Sequence, residues 1–308
     1  MILTVTLNTA VDVTYRLPAV RRNASNRVCD VAQRAGGKGV NVARVLAALG
    51  HETVLTGLAG GANGQVLRAD LAAAGLNDHL VPIAGETRRT VALVEQDTNR
   101  TTMLLEPGPV VTAAEWSRFL ARYERLLTGS AAVALSGSLP AGLPLDAYGV
   151  LIALATAHRV PAVLDTDGPA LLAALPAGPA LIKPNADELA TATGSPDPSA
   201  GAEALRAAGA GAVVASLGPD GLIATTPQGS WRARPPRTVT GNPTGAGDAV
   251  VAALTVGLVA GAPWPDRLAQ AVALSAATVL APLAGSFDAE AYHRMLPLVE
   301  TERTAPRS

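Results

Sequence analysis

The sequence predicts an α/β protein in which helices cover both faces of a mainly parallel sheet. Short runs of branched residues alternate along the chain with longer stretches rich in Ala and Leu that have a helical period. This alternation is typical of successive βαβ units, which build parallel sheets. Apolar residues make up 49 % of the 308 residues and aromatic residues only 3 %, which favours helices packed on a sheet of small side chains.

The candidate strands are short runs of Val, Ile, Leu, Ala and Thr, at Ile2–Leu7, Ala131–Leu135, Ala162–Leu164, Ala180–Ile182 and Ala212–Ser216. The candidate helices share the apolar period of a helix, at Gly39–Leu49, Gly64–Ala74, Ala113–Leu127, Leu145–Thr156, Ala200–Ala208, Gly245–Ala260 and Pro265–Leu280. The last two helices are so apolar that we expect them to lie in the core.

Two segments interrupt the alternation of strands and helices. Asp12–Val31 and Thr87–Leu105 are rich in turn residues and carry charges at alternating positions, which predicts antiparallel strands. We expect these segments, about 12–31 and 87–105, to form a small β lid on a single domain spanning residues 1–308. The last eight residues, from Thr301, are expected to be a loose tail.

Composition excludes several classes of function. The formal net charge is −1 without long runs of one sign, which argues against a nucleic-acid partner or an anionic membrane. Cys29 is the single cysteine, so no internal disulfide is possible, and no Cys/His cluster has zinc-site spacing. The N-terminus alternates like a strand and resembles no signal peptide, and the apolar segments are too short to span a bilayer. These features predict a cytoplasmic protein.

The most informative motif is Gly-Asn-Pro-Thr-Gly-Ala-Gly-Asp, residues 241–248, which leads directly into an apolar helix. Glycines ahead of a helix allow a tight turn and leave its first N–H groups free to bind an anion, such as a phosphoryl group. Asp248 could serve only as a partner of the helix dipole. With Thr244 before the glycines, the motif favours a carboxylate that takes a proton from an acceptor beside the anion site.

A second glycine motif, Arg-Ala-Gly-Gly-Lys-Gly-Val-Asn, occupies residues 34–41. It matches neither the P-loop nor the dinucleotide pattern, and a plain turn is the simpler interpretation. Its glycines would allow close approach of a ligand, to which Lys38 and Asn41 offer a cation and an amide. Asp12, just after the first strand, is either an acceptor for two sugar hydroxyls or an ordinary exposed loop acid.

Polar residues also follow three of the later strands. Asn185 and Glu188 lie three residues apart where a helix opens, and they fit a capping box as well as a water-mediated Mg²⁺ site. The segment from Ser216 to Gly221 fits either a simple hairpin or the rim of a nucleotide pocket at the carboxyl ends of the strands. Ser136-Gly-Ser138 closes a third strand.

Five motifs, AGGKGVN, SGSLP, KPNADE, SLGPDG and NPTGAGD, occur in this order. With them the sequence resembles, over essentially its whole length, the phosphofructokinase-B branch of the ribokinase-like sugar kinases. MILTVTLNTAVD, GETRRT and LLEPGP are most similar to tagatose-6-phosphate kinases, followed by 1-phosphofructokinases. The resemblance implies a three-layer α/β/α fold with a β lid, ATP and Mg²⁺ as cofactors, and a ketohexose monophosphate as acceptor. Tagatose 6-phosphate and fructose 1-phosphate rank ahead of fructose 6-phosphate, and a homodimer formed through the lid is compatible with the branch.

The resemblance also implies a role for each motif residue. Asp248 would be the catalytic base, and the backbone of Gly245, Ala246 and Gly247 the anion hole. The implied nucleotide side comprises Lys183, Asn185, Ser216, Gly218, Gly221 and Thr244, with Glu188 and Asp165 ordering Mg²⁺. The implied sugar side comprises Asp12, Gly36, Gly37, Lys38, Asn41 and Ser138, together with Arg88 and, as a second candidate, Arg27 for the phosphate already on the sugar.

Three positions depart from the pattern of the branch. Thr9 replaces a proline common among relatives, Thr90 replaces an asparagine typical of the phosphofructokinases, and Lys38 replaces a glycine found in some 6-phosphofructokinases. Thr90 lies beside the expected phosphate site, and Lys38 argues against fructose 6-phosphate. Two other functions stay open: a kinase of an unphosphorylated sugar or nucleoside, and a sensor of sugar phosphates or nucleotides without catalytic activity.

Overall fold

The computed structural model describes residues 1–98 and 100–304. In chain order its strands are β1 (Ile2–Thr6), β2 (Ala10–Leu17), β3 (Asp30–Gly36), β4 (Thr53–Gly60), β5 (Asn77–Asp78), β6 (Val81–Ile83), β7 (Arg88–Glu95), β8 (Thr101–Leu105), β9 (Ala132–Ser136), β10 (Ala162–Asp165), β11 (Leu181–Ile182), β12 (Val213–Ser216), β13 (Leu222–Thr226), β14 (Gly229–Arg234) and β15 (Glu300–Thr304). The longer helices are α1 (Lys38–Ala48), α2 (Gly61–Ala73), α3 (Ala113–Leu127), α4 (Ala147–Ala157), α5 (Gly168–Ala174), α6 (Ala186–Thr193), α7 (Pro198–Ala207), α8 (Ala246–Val259), α9 (Trp264–Val279) and α10 (Ala289–Met295).

Most strands belong to one 11-stranded sheet, in the order β15-β14-β13-β12-β11-β10-β9-β1-β4-β5, with β6 also paired to β4. The pairings from β4 through β1 to β12 are parallel, and those from β12 to β15 are antiparallel. Successive residues of a strand point to opposite faces of the sheet, which divides the core into two layers. Leu3 packs with the layer of α3 to α7, whereas Ile2 packs with α1, α8 and α9.

The remaining strands, β3-β2-β7-β8, form a separate four-stranded sheet that we call the lid sheet. Its outer pairings are antiparallel, but β2 and β7 are parallel, so the expectation of antiparallel strands was wrong at that pairing. Strand β2 follows β1 and β7 follows β6, and both β1 and β6 run parallel to β4. Strands β2 and β7 therefore leave the large sheet in the same direction. One face of the lid sheet packs on α2, where Val13 and Ala35 share a cluster with Leu67.

The expectation of a loose tail was also wrong for Thr301–Thr304. These residues belong to β15, which pairs antiparallel with β14 at the edge of the large sheet. The Arg303 guanidinium lies 5.6 Å above the ring of Trp231, and it donates a hydrogen bond of 2.8 Å to the carbonyl of Gln228. A charged segment is thus ordered by an aromatic side chain that is distant in sequence. The end of the predicted tail, residues 305–308, lies outside the described residues.

Within residues 1–98 and 100–304, none of the helices combines the length and the apolar character that crossing a membrane would need.

Candidate functional site

Two cavities meet where α8 begins. The first, of about 760 Å³, lies between the lid sheet and the loops at residues 240–244 and 280–284. The second, of about 430 Å³, lies at the end of β12 and is bounded by α8 and α9. Thr240, Gly241, Pro243 and Val279 line both cavities. Two ligands could therefore approach each other across this shared wall.

The carboxyl group of Asp248 lies in the first turn of α8 and is buried, with 6 % of the residue exposed. The side-chain amide of Asn41 donates a hydrogen bond of 2.8 Å to its Oδ2. Burial, reinforced by the charge of Asp165, raises the pKa of Asp248 to about 7, against the opposing effects of Asn41, Lys38 and Lys183. A carboxyl group with this pKa can exchange a proton near neutral pH.

The turn before Asp248 depends on its glycines. Gly245 caps α8 in the left-handed region, at φ 85°, and a Cβ there would lie 3.1 Å from Cα of Ala284. No side chain caps the helix, and Gly247 lines the second cavity. The N–H of Ala246 donates to the carbonyl of Pro243 at 3.1 Å. The N–H of Gly247, the next residue, lies beside a cavity that could hold an anion.

Two lysines flank a buried carboxylate close to this turn. The Nζ atom of Lys38 lies 3.5 Å from one oxygen of Asp165, and Nζ of Lys183 lies 3.4 Å from the other. Burial works against the charge of Lys38, but Asp165, Glu188 and Asp248 outweigh it and raise the pKa of Lys38. Lys183 also approaches the α8 turn, since a Cβ on Gly247 would lie 3.5 Å from its Nζ. Positive charge is thus concentrated beside the first turn of α8.

Asp12, on β2, faces the first cavity from the lid sheet. Its carboxylate lies directly against Gly36, so closely that a Cβ on Gly36 would overlap it. Burial raises the pKa of Asp12 to about 6, although Arg88, Thr90 and Arg34 all favour the charged form. Gly36 therefore leaves the space in which this carboxylate sits. Gly37 has a positive φ of 107°, and a Cβ on it would meet Thr6 instead of Asp12.

Arg88 and Ser138 are connected through Asn8. Nε of Arg88 donates to the carbonyl of Asn8 at 3.3 Å, and the Asn8 amide donates to Oγ of Ser138 at 3.1 Å. Sequence reasoning missed Asn8, although a polar residue just after a buried strand is the signal that marked Ser138. Arg27, within the part of the chain that the structure describes, is exposed in the loop between β2 and β3 and lines neither cavity.

Three of the six expected nucleotide-side residues line the second cavity. Ser216, Gly218 and Gly221 line it, and Asn185 pairs with Ser216 across the ends of β11 and β12. The segment from Ser216 to Gly221 joins antiparallel strands, so the hairpin and the pocket rim are one feature. Thr244 differs from the expectation, because it lines the first cavity. Apolar lining residues such as Val250 and Val272 carried no signal that separates them from the core.

Glu188 forms the capping box of α6. Its carboxylate accepts from the Asn185 N–H at 2.8 Å, and the Asn185 side chain accepts from the Glu188 N–H at 2.8 Å. Among the described residues, no group of three or more His, Cys, Asp or Glu side chains is arranged to hold a metal. Asp165 fits a Mg²⁺ ligand poorly because both of its oxygens face lysines. Glu188 fits a water-mediated site that also uses nucleotide phosphates.

Comparison with known proteins finds one family model and several solved structures that are similar to this chain. The model of the pfkB family of carbohydrate kinases matches residues 4–291. Phosphofructokinase-2 from Escherichia coli is 27 % identical with a TM-score of 0.89, over 96 % of this chain and 98 % of that chain. The same enzyme has been solved in complex with fructose-6-phosphate.

Two further solved structures are similar over nearly their whole length. A possible 1-phosphofructokinase from Thermotoga maritima is 26 % identical, with a TM-score of 0.90 and coverage of 99 % of both chains. A putative phosphofructokinase from Staphylococcus aureus is 28 % identical, with a TM-score of 0.84 and coverage of 100 % of both chains. These findings confirm the predicted ribokinase-like α/β fold and the resemblance to the phosphofructokinase-B branch. The chain therefore belongs to the pfkB family of carbohydrate kinases, which are phosphotransferases with an alcohol group as acceptor.

Proposed function

We propose that this kinase transfers the terminal phosphoryl group of ATP to a ketohexose monophosphate and produces a bisphosphate. Tagatose 6-phosphate and fructose 1-phosphate are the preferred acceptors, ahead of fructose 6-phosphate. The observation that carries the proposal is the position of Asp248 at a glycine turn between the two cavities. Asp248 itself is buried and lines neither cavity, but its hydrogen-bond partner Asn41 lines the first and the preceding residue, Gly247, lines the second. One cavity would hold the phosphosugar and the other ATP.

In this proposal Asp248 is the general base. Its carboxylate takes the proton of the acceptor hydroxyl, and the hydroxyl oxygen then attacks the terminal phosphorus as ADP leaves. The pKa of about 7 suits this task, because the group is partly ionised at neutral pH and releases the proton again after transfer. Asn41 holds the carboxylate in position through its hydrogen bond of 2.8 Å.

The charge that develops on the transferring group would be stabilised from several sides. The N–H of Gly247 is the donor of the proposed anion hole, since that of Ala246 already donates to Pro243. Lys38 and Lys183 contribute positive charge. Asp165 keeps both ammonium groups in place from a site that is 1 % exposed. Mg²⁺, bound with the nucleotide and held through water by Glu188, would neutralise phosphate charge.

The position of Arg88 supports the choice of a phosphosugar over a free sugar. Arg88 lies near Asp12 on the same face of the lid sheet, although it does not line the cavity itself. Its Nε and Nη1 donate to the carbonyls of Asn8 and Glu106 at 3.3 and 3.4 Å, long bonds that a substrate phosphate would replace. Asp12 would accept hydrogen bonds from sugar hydroxyls. Lid closure over the sugar would exclude water, which competes as an acceptor.

An acceptor panel tests the proposal. ADP release is measured with tagatose 6-phosphate, fructose 1-phosphate, fructose 6-phosphate, and the free sugars fructose and tagatose. We expect turnover with at least one of the first two phosphosugars and kcat/KM at least about 100-fold lower for the free sugars, because a charged hydrogen-bonded anchor is lost. Arg88→Ala should raise KM for the phosphosugar but leave KM for ATP unchanged. Comparable turnover of the free sugars would overturn the phosphosugar assignment.

The same proposal includes a homodimer formed through the lid. The outer strands of the lid sheet expose large apolar side chains, namely Val31, Leu104 and Leu105. Contact with a second copy would remove them from water. Light scattering should give twice the chain mass for the wild type and a shift towards monomer for Leu105→Asp. A monomeric wild type at micromolar concentration would contradict the dimer.

A further inference from the structure

Arg34 has no place in the chemistry described so far, yet it lies beside the proposed sugar site. It faces Asp12 across the pairing of β2 and β3, and both residues line the first cavity. Directly opposed residues of an antiparallel pair point to the same face of a sheet. Arg34 therefore projects from the lid sheet into the cleft alongside the carboxylate that would hold the sugar.

The guanidinium of Arg34 crosses the cleft from the lid sheet to the body. Its Nη1 donates a hydrogen bond of 2.9 Å to the carbonyl oxygen of Ala284, which is 250 residues away in sequence. Burial, together with the neighbouring charge of Arg44, lowers the pKa of Arg34, while Asp70 and Asp12 oppose this effect. A charged side chain in such surroundings is costly unless its hydrogen bonds are made.

The loop that Arg34 reaches supports the phosphoryl-transfer turn directly. Ala284 packs on Gly245, since a Cβ on that glycine would lie 3.1 Å from Cα of Ala284. The next residue, Gly285, packs on Asn41, whose Oδ1 would lie 3.0 Å from a Cβ there. Asn41 in turn donates to Asp248. The bridge thus ends on a loop that touches both the proposed anion hole and the partner of the proposed base.

The backbone next to Arg34 is also fixed. Asp70, on α2, accepts a hydrogen bond of 2.8 Å from the N–H of Ala35, the next residue along β3. The same carboxylate oxygen pairs with the buried guanidinium of Arg44 on α1. The backbone at the end of β3 is thereby anchored to two helices, so the long Arg34 side chain extends towards Ala284 from a fixed position.

We propose that Arg34 is a positioning residue that links the sugar-binding face of the lid sheet to the turn at the start of α8. Arg34 holds the loop at residues 284–285 against Gly245 and Asn41 through its hydrogen bond to Ala284. This hydrogen bond keeps the turn in place before the acceptor binds. This inference rests on the proposed kinase function, because it assigns the turn to phosphoryl transfer.

Amide hydrogen exchange of the unliganded protein tests the bridge. In Arg34→Gln we expect faster exchange at residues 245–248 and 284–286, by about 10-fold or more, because a hydrogen bond to a charged donor is lost. The matched control is Arg89→Gln, which removes an arginine from the opposite face of the lid sheet, where it pairs with Glu106. If Arg34→Gln does not fold, Arg34→Lys keeps the charge, shortens the reach and serves for the same comparison.

Kinetics give the second readout. With the phosphosugar that the wild type uses, Arg34→Gln should lower kcat by roughly 10- to 100-fold, with less than about a threefold change in KM. A residue that only binds sugar would instead raise KM and leave kcat unchanged, and this result would overturn the proposal. Unchanged exchange at residues 284–286 would overturn it as well. If the wild type turns over no phosphosugar, the proposed function fails, but the exchange comparison still decides whether Arg34 holds the loop.

Discussion

The two sheets of this kinase are built on different principles. The central strands of the 11-stranded sheet, such as β1 and β9, are buried at every position, with branched and small side chains packed on both faces. In the lid sheet, β8 is exposed at every position and β3 at three of its seven. Apolar burial stabilises a fold far more than exposed ion pairs do. Most of the apolar burial therefore surrounds the large sheet, whereas the lid sheet carries Asp12, Arg34 and Arg88 of the proposed site.

The largest expected effect is on chemistry at the junction of the two regions. Asp248→Asn should lower kcat by about 10²- to 10⁴-fold, the usual contribution of a general base, with ATP affinity nearly unchanged in calorimetry. Burial raises the folded-state pKa of Asp248 to about 7, so its ionisation costs stability as pH rises through that value. The amide introduced by Asp248→Asn cannot ionise, and the variant should be at least as stable as the wild type at about pH 8, above that pKa. Retention of more than a tenth of wild-type kcat would contradict the role of Asp248.

The next-largest effect should show that the two sheets contribute unequally to the free energy of unfolding. Leu135, on β9, is fully buried, and Leu135→Ala should lower the free energy of unfolding by about 2–5 kcal/mol. Thr102, on β8, is exposed, and Thr102→Ala should cost less than about 0.5 kcal/mol. Urea unfolding of both variants measures the difference. Equal losses would mean that the lid sheet contributes to the core as much as the large sheet does.

A smaller effect should show that the lid sheet contributes to binding of the phosphosugar. Gly36→Ala puts a methyl group where the Asp12 carboxylate lies, and the displaced carboxylate should raise KM for the phosphosugar by roughly 10- to 100-fold. KM for ATP should stay within about twofold. The control is Gly149→Ala on α4, where the added Cβ meets its neighbours at ordinary contact distances of 3.5–3.9 Å. Similar changes in the two KM values would remove Asp12 from the acceptor site.

The difference between the sheets also explains which parts of the fold the sequence predicts. Strands β1, β9 and β10 are predictable because burial on both faces demands a continuous apolar run. Strand β15 is not, since its sequence ETERT is polar and its position depends on β14 and on Trp231. The parallel pairing of β2 with β7 depends on where each strand leaves the large sheet. The local sequence pattern of the two segments contains no information about these positions.

A similar division applies to the candidate site. The glycine motifs and the polar residues after the strands are identifiable because parallel strands bring their carboxyl ends to one edge. The local sequence does not show which side chains will pair with one another. Asp165 is recognisable as a polar residue at the end of β10, but its two lysines come from α1 and from the end of β11, and only the folded chain shows that they occupy both oxygens. Arg34 resembles any surface arginine until Ala284 is seen to accept its hydrogen bond.

The smallest expected effect concerns pH and isolates the contact between α1 and α8. The base form of Asp248 exists above its pKa, so kcat/KM for the phosphosugar should rise with pH through about 7 and fall about tenfold per unit well below it. Asp12, with a pKa raised to about 6, should steepen this fall at lower pH if its charged form binds the sugar.

Removing the Asn41 amide should move that inflection upward. The hydrogen bond from Asn41 favours the ionised carboxylate, and without it burial and the charge of Asp165 oppose ionisation more effectively. Asn41→Ala should therefore need a higher pH for half-maximal kcat/KM, whatever its plateau value. Tyr123→Phe, which removes a buried hydrogen bond to Leu151 in the opposite layer, should leave the inflection in place. An unchanged or lower inflection in Asn41→Ala would mean that a group other than Asp248 controls the pH profile.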